Sequence, residues 1–104
     1  MKDKIDVLIA SELKRANGIH RSFFVSAHEG KSVIEEEVEE SIEAVGAVAR
    51  WLDHLWIAVK GDDEKSQKHS VEQIRKHAKY AAEELIQVCA MCDKFTKSFK
   101  EEKQ

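Results

Sequence analysis

Apolar residues recur at helical spacing along almost the whole of this chain. Between Lys4 and Ala16, the residues Ile5, Leu8, Ile9 and Leu13 fall on one face, widened by Val7 and Ala10. Asn17-Gly18 then offers a C-terminal stop. Ile19 to Val25 is a connector, with Phe23 and Phe24 placed to plug the end of a helix pair. Ser26-Ala27-His28-Glu29 is a capping box, in which the Ser26 hydroxyl accepts from the Glu29 amide and the Glu29 side chain reaches back. A second helix can run from there to Lys60. In it Val38, Ile42, Val45, Ala49, Leu52, Trp56 and Val59 alternate spacings of four and three, the signature of a heptad seam. A second seam lies beside the first, through Val33, Glu37, Glu40, Ala44, Ala47, Trp51, His54 or Leu55, and Ala58. It is made of small residues and aromatics with two glutamates embedded. Gly46 is the point where this helix can kink.

Gly61-Asp62-Asp63 ends the second helix, and the polar segment to His69 is expected to be a loop. Ser70-Val71-Glu72-Gln73 is a capping box of the S-x-x-Q form, and a third helix follows to about Phe99. Its seam runs through Val71, Ile74, Ala78, Ala81, Leu85, Val88, Cys92, Phe95 and Phe99. A second face carries His77, Tyr80, Glu84, Gln87 and Met91. The charged tail, 100–104, is expected to fray.

These elements predict an all-α fold: a helical bundle with a short N-terminal helix and a long antiparallel helix pair, in a single domain over 1–104. The chain has no proline and four glycines, so little interrupts the helices. The paired helices would be about 45–50 Å long at about 1.5 Å per residue. The first helix is too short to cover them, and each long helix has more apolar width than one neighbour can bury. A second copy of the chain, giving a four-helix core across a two-fold axis, is the expected remedy.

Charge and composition narrow the classes. A net charge of −3 and a pI near 6.0 argue against nucleic acid or an anionic membrane as the main partner. No apolar run approaches the roughly 20 residues of a membrane span. The mixed charges of Met1-Lys2-Asp3-Lys4 are not those of a signal peptide, so a cytoplasmic setting is expected. Cys89 and Cys92 form a CxxC without the βαβ context of a redox motif or two further zinc ligands. They are expected as small apolar residues on a buried helix face. The five histidines share no ligand spacing with the acids and are read as surface or packing residues.

The chemistry lies in Glu35-Glu36-Glu37-Val38-Glu39-Glu40 and Glu43, six carboxylates within nine residues. Like charges four residues apart repel, here as Glu35/Glu39, Glu36/Glu40 and Glu39/Glu43. Either the run is a solvated face, or two of its members turn inward and hold a metal. Folding the helix pair about residue 64 or 65 sets Glu40 opposite Val88 and lets Glu37 and Glu40 meet Glu84 and Gln87. Such a set of oxygen donors suits Mg²⁺ or Mn²⁺. A ferritin-type di-iron site wants Glu-x-x-His where this chain has Glu-x-x-Gln. His28-Glu29 does not begin an HExxH, because position 32 is serine.

Several stretches together carry a family likeness: Glu12-Leu13-Lys14-Arg15-Ala16-Asn17, Ser26-Ala27-His28-Glu29-Gly30, Val33-Ile34-Glu35-Glu36-Glu37-Val38-Glu39-Glu40, and Glu83-Glu84-Leu85-Ile86-Gln87-Val88-Cys89-Ala90-Met91. They resemble the MazG-like group of all-α nucleoside triphosphate pyrophosphohydrolases, in particular its small phage and prophage members. The likeness runs from residue 12 to 95, apart from 44–60. It implies hydrolysis of a nucleoside triphosphate to the monophosphate and pyrophosphate, a dimer or tetramer, and an E-x-x-E … E-x-x-D site for Mg²⁺. The first motif falls on Glu37 and Glu40, with Glu36 as the additional acid, either ligand or base. The second falls on Glu84 and position 87, where this chain departs by carrying Gln87. A glutamine offers a carbonyl oxygen without charge, which weakens Mg²⁺ binding.

On that reading Lys94, beyond Gln87 on the same face, and Lys97 are placed to meet phosphate oxygens; solvent exposure near a helix C-terminus is the plainer alternative. Trp51 can stack on a base or pack in a core or interface. The alternative function is a non-catalytic oligomeric helical phage or prophage accessory protein that keeps the scaffold.

Overall fold

The computed structural model describes residues 2–99, so the expected fraying of 100–104 lies outside the described residues. It is all-α: α1 (Lys2–Ile19), α2 (Ala27–Lys60) and α3 (Glu64–Phe99), with no strand among the described residues. None of these helices is long and apolar enough to cross a membrane.

The helix boundaries show which local signals decided them. α1 runs through Asn17-Gly18, with the His20 amide still donating to the Ala16 carbonyl at 2.9 Å, so the expected stop at Ala16 is overridden. The cap of α2 is where the sequence puts it. The Glu29 amide donates to Ser26 Oγ at 3.1 Å, while Glu29 Oε1 reaches back one residue further than the cap, to the Val25 amide at 2.8 Å. Arg21 holds the second Glu29 oxygen at 2.9 Å. α2 then passes unbroken through Gly46.

Its C-terminus is a Schellman turn. The Asp63 amide donates to Ala58 O at 3.0 Å and the Asp62 amide to Val59 O at 3.2 Å, with Asp62 at φ 51°. The expected loop over 64–69 is instead the first two turns of α3. Asp63 is the cap: Ser66 donates its amide to Oδ1 at 3.1 Å and its hydroxyl to Oδ2 at 2.7 Å. The segment Glu64-Lys65-Ser66-Gln67-Lys68-His69 is polar but free of breakers, and with a cap in place nothing prevents it from winding. Ser70, expected as the cap, is a buried residue inside the helix. The reversal is therefore Gly61–Asp63, a few residues earlier than expected.

The chain forms two compact units, Met1–Glu39 with Glu84–Gln104, and Glu40–Glu83. The first is built on Leu13, Ala16, Phe24, Ala90 and Met91, flanked by Ile9, Val33, Ile34, Phe95 and Phe99. Phe24 plugs this core as expected. Its amide donates to Ser98 Oγ at 2.8 Å, and its ring lies 6.4 Å from Phe95, which is 5.0 Å from Phe99. Phe23 instead stays half exposed. Gly30 makes room for the plug: a Cβ there would overlap the Phe95 ring and press on Phe24 at 3.0 Å.

In the second unit the buried residues are Ser41, Ala44, Ala47, Ala58, Ser70 and Ala81. The bulky heptad seam of α2 faces outward, and the seam of small residues faces in. Trp51 packs its ring against His54 at 4.9 Å and His69 at 5.2 Å. In the first unit Cys89 and Cys92 are both exposed, contrary to the expected buried face.

Two stability predictions follow from these details. Gly30→Ala and Gly46→Ala should have opposite signs. Both gain helix propensity worth about 0.5–1 kcal/mol, but at Gly30 the overpacking against two rings costs about 1–3 kcal/mol. At Gly46 only the end of Arg50 approaches, at 3.4 Å. Urea unfolding should show Gly46→Ala stabilised and Gly30→Ala destabilised. For the cap, the Ser66 hydrogen bonds hold the Asp63 carboxyl below its usual 3.8. A depressed folded-state pKa stabilises above the unfolded value, and the contribution fades as pH falls through the folded one. Asp63→Ala should lower the thermal midpoint near neutrality, and the gap to wild type should close as the pH is taken well below 3.8.

Candidate metal centre and cleft

α2 sets Glu37 and Glu40 one turn apart, and α3 supplies Glu84. Each of the three offers a carboxylate oxygen within 4.8 Å of the others. Their burial is graded: Glu84 is 5% exposed, Glu37 is half-buried and Glu40 is exposed. The remainder of the acidic run, Glu35, Glu36, Glu39 and Glu43, is on the exposed side. Glu35 accepts from Lys31 Nζ at 2.8 Å. Within the run, Glu37 alone is turned partly inward.

The donor set fits a hard divalent cation in kind. Opposite oxygens around octahedral Mg²⁺ stand about 4.2 Å apart, and around Ca²⁺ about 5 Å. At most one pair of three ligands can stand opposite, and adjacent oxygens around Mg²⁺ are only about 3 Å apart, so carboxylates within 4.8 Å of one another would have to draw together to share the smaller ion. Three ionised carboxylates at this separation repel by about 3–4 kcal/mol per pair at an effective dielectric of about 20.

Glu37 also lines a cleft of about 690 Å³ in the first unit, together with Glu36, Gln87 and Lys94. The expected solvent-exposed alternative for Lys94 does not hold: the residue is 5% exposed. Its Nζ stands 4.8 Å from the centre of the Phe24 ring, and among the described residues no carboxylate pairs with it. The reason is positional. Lys94 follows Glu84, Gln87 and Met91 at offsets of ten, seven and three, so all four share one stripe of α3. Lys97 is exposed and lies off that stripe.

Further cations reach the cleft from α1 and the connector, and sequence reasoning did not single them out. Arg15 is paired with Glu12 at 2.6 Å, and Arg21 with Glu29 at 2.9 Å. The hydrogen bond and charge of Glu12 hold the Arg15 guanidinium above its usual value, and Glu37 adds to this. His20 and the half-exposed Phe23 complete that wall. The signal available for Arg15 was its place three residues after Glu12 on a helix. For Arg21 and Phe23 only the tethering of the connector, invisible in the sequence, decides. Trp51 belongs to the second unit, where it packs against the two histidines.

Burial, with smaller contributions from Cys89 and Asp93, pushes the Cys92 thiol above its usual value. That disfavours the thiolate, the form that reacts or binds metal.

No protein-family model matches this chain, and no curated protein or solved structure matches it either.

Proposed function

We propose that the protein is a MazG-like nucleoside triphosphate pyrophosphohydrolase of the small phage or prophage type, acting in the cytoplasm with Mg²⁺ or Mn²⁺. The observation that carries this reading is the convergence of Glu37, Glu40 and Glu84. The resemblance expects these same side chains to act together, and Glu84, from the other helix and 5% exposed, is the member that a solvated acidic face of α2 would not supply.

A divalent cation held by Glu37, Glu40 and Glu84, with Gln87 as a neutral further donor, would neutralise phosphate charge. The chain's own groups do the rest. Glu36, exposed on the cleft beside Glu37, accepts a proton from the attacking water. The water oxygen bonds to the α-phosphorus, the bond to the bridging oxygen breaks, and pyrophosphate leaves with that electron pair. Lys94 meets the phosphate oxygens from the buried end of the cleft, where a cation over an aromatic ring is held in place and screened from water. Phe23 offers an exposed aromatic face at the cleft for the base. Trp51, also expected as a stacking residue, is engaged by His54 and His69.

One feature favours the second reading, a non-catalytic oligomeric accessory protein. Gln87 stands where the resemblance expects a fourth carboxylate, and the cation affinity falls accordingly.

Pyrophosphate release from a panel of ribo- and deoxyribonucleoside triphosphates, with Mg²⁺ and with Mn²⁺, separates the two. Wild type should be active. Glu40→Gln should lower kcat/KM about 100-fold, as loss of a metal ligand does at least as much as loss of its supporting contacts. Gln87→Asp should raise activity and tighten the metal dependence. Lys94→Met should keep the fold, because a buried ammonium is replaced by an apolar chain of similar length, but lose activity. Silence from both wild type and Gln87→Asp under every condition would leave the non-catalytic reading standing.

A further inference from the structure

We infer that Ser98 is a positioning residue: its hydroxyl sets, through Phe24, where the Lys94 ammonium stands in the cleft. The inference rests on the nucleotide reading in one respect, that the anion held by Lys94 is a polyphosphate.

Three contacts close a ring around the buried lysine. Ser98 Oγ donates to the Lys94 carbonyl, four residues back on α3, at 2.8 Å. The Phe24 amide, on the connector, donates to the same Oγ at 2.8 Å. The Phe24 ring then lies 4.8 Å from Lys94 Nζ. A hydroxyl has one proton, so once that proton goes to the Lys94 carbonyl only lone pairs remain for the Phe24 amide. One oxygen thereby fixes the backbones of Lys94 and Phe24 relative to each other. A lysine is a point charge on a long flexible stem, and holding it in one place is costly in side-chain entropy. Here the ring locates the far end of that stem, and Ser98 locates the ring. Ser98 itself stays off the cleft wall, which Phe24 and Lys94 line. It acts on a bound anion only through them.

Helix stability does not account for this serine. A helical serine that bonds back to the carbonyl four residues earlier is mildly unfavourable to its helix. Satisfying the part-buried Phe24 amide is the plainer role. The two roles part when Lys94 is removed. An acceptor for the amide matters to the fold with or without the lysine, whereas a positioning residue matters to anion binding only with it.

Tripolyphosphate with Mg²⁺, titrated calorimetrically into the full chain, is the probe. Ser98→Ala should weaken its binding about tenfold, the loss expected when a contact to a charged group is misplaced. Ser98→Thr keeps a hydroxyl that can bond the same carbonyl and should restore it. In a Lys94→Met background, Ser98→Ala should weaken the residual binding no further. NMR reads the same geometry without a ligand, and decides where that residual binding is too weak to titrate. The Lys94 ε-methylene protons, held over the Phe24 ring, should resonate upfield of those of exposed lysines. Ser98→Ala should move them back while the Leu13 and Met91 methyl signals of the core stay in place. Equal weakening by Ser98→Ala with and without Lys94, unmoved Lys94 signals, or a wild type that does not bind tripolyphosphate would each overturn the inference. A wild type that shows these dependences yet releases no pyrophosphate from any nucleotide would leave the inference standing and remove the hydrolytic reading.

Discussion

The constraint on which the rest of the molecule depends is the smallness of the side chains turned inward along α2 and α3. In the second unit every buried residue is alanine or serine. An inner face without bulk brings helix backbones close, and close backbones leave no room for the isoleucine, leucine and tryptophan of the same helices. Those residues go outside. Burial of an alanine removes far less apolar surface from water than burial of a leucine, so this core is weak for its length. The helices themselves are long, capped and free of proline, which supplies the local order that the packing does not.

The first unit solves the same problem differently. There Leu13, Phe24 and Met91 give a core of ordinary size, and the connector is tied down at three places: Phe24 N to Ser98, Val25 N to Glu29, and Arg21 to Glu29. Gly30 is the complement of that arrangement, a missing side chain under two rings. Because the connector is fixed, His20, Arg21 and Phe23 become a wall of the cleft instead of a mobile link. The Ser98 hydroxyl that accepts from Phe24 donates in turn to Lys94 O at 2.8 Å, so the same bonds that set the plug also set the turn of α3 carrying the buried ammonium.

Much of this was legible in the pattern of residues. Three helices, the Ser26 cap and the pairing of Glu37 and Glu40 with Glu84 could be read from spacing and resemblance. What could not be read was which of two adjacent seams faces in. A hydrophobicity pattern favours the bulkier stripe, yet the bulkier stripe of α2 is outside. The same reasoning misplaced Cys89 and Cys92, which share a face with other apolar residues of α3 but are exposed. The start of α3 was missed because Ser70 and Asp63 both make acceptable caps, and only the Schellman turn through Asp62 selects the earlier one. For Lys94 the sequence left two readings, a candidate phosphate contact and a solvated lysine near a helix end; its burial decides against solvation, and its place on the Glu84 stripe was the signal.

That stripe is the feature hardest to explain by folding alone. Glu84 and Lys94 are each 5% exposed, and Gln87 lies between them at half burial. Removing an ionised group from water costs several kcal/mol unless it is paired. Apolar residues at these positions would build a better core, and elsewhere on the inward faces the chain does use alanine. A carboxylate gathered with two others and, ten residues on, an ammonium over an aromatic ring put opposite charges at separate places along one side of α3. Opposite charges ten residues apart on one inward face cost more than the alanines used elsewhere on the inward faces, so packing alone does not account for this side of α3.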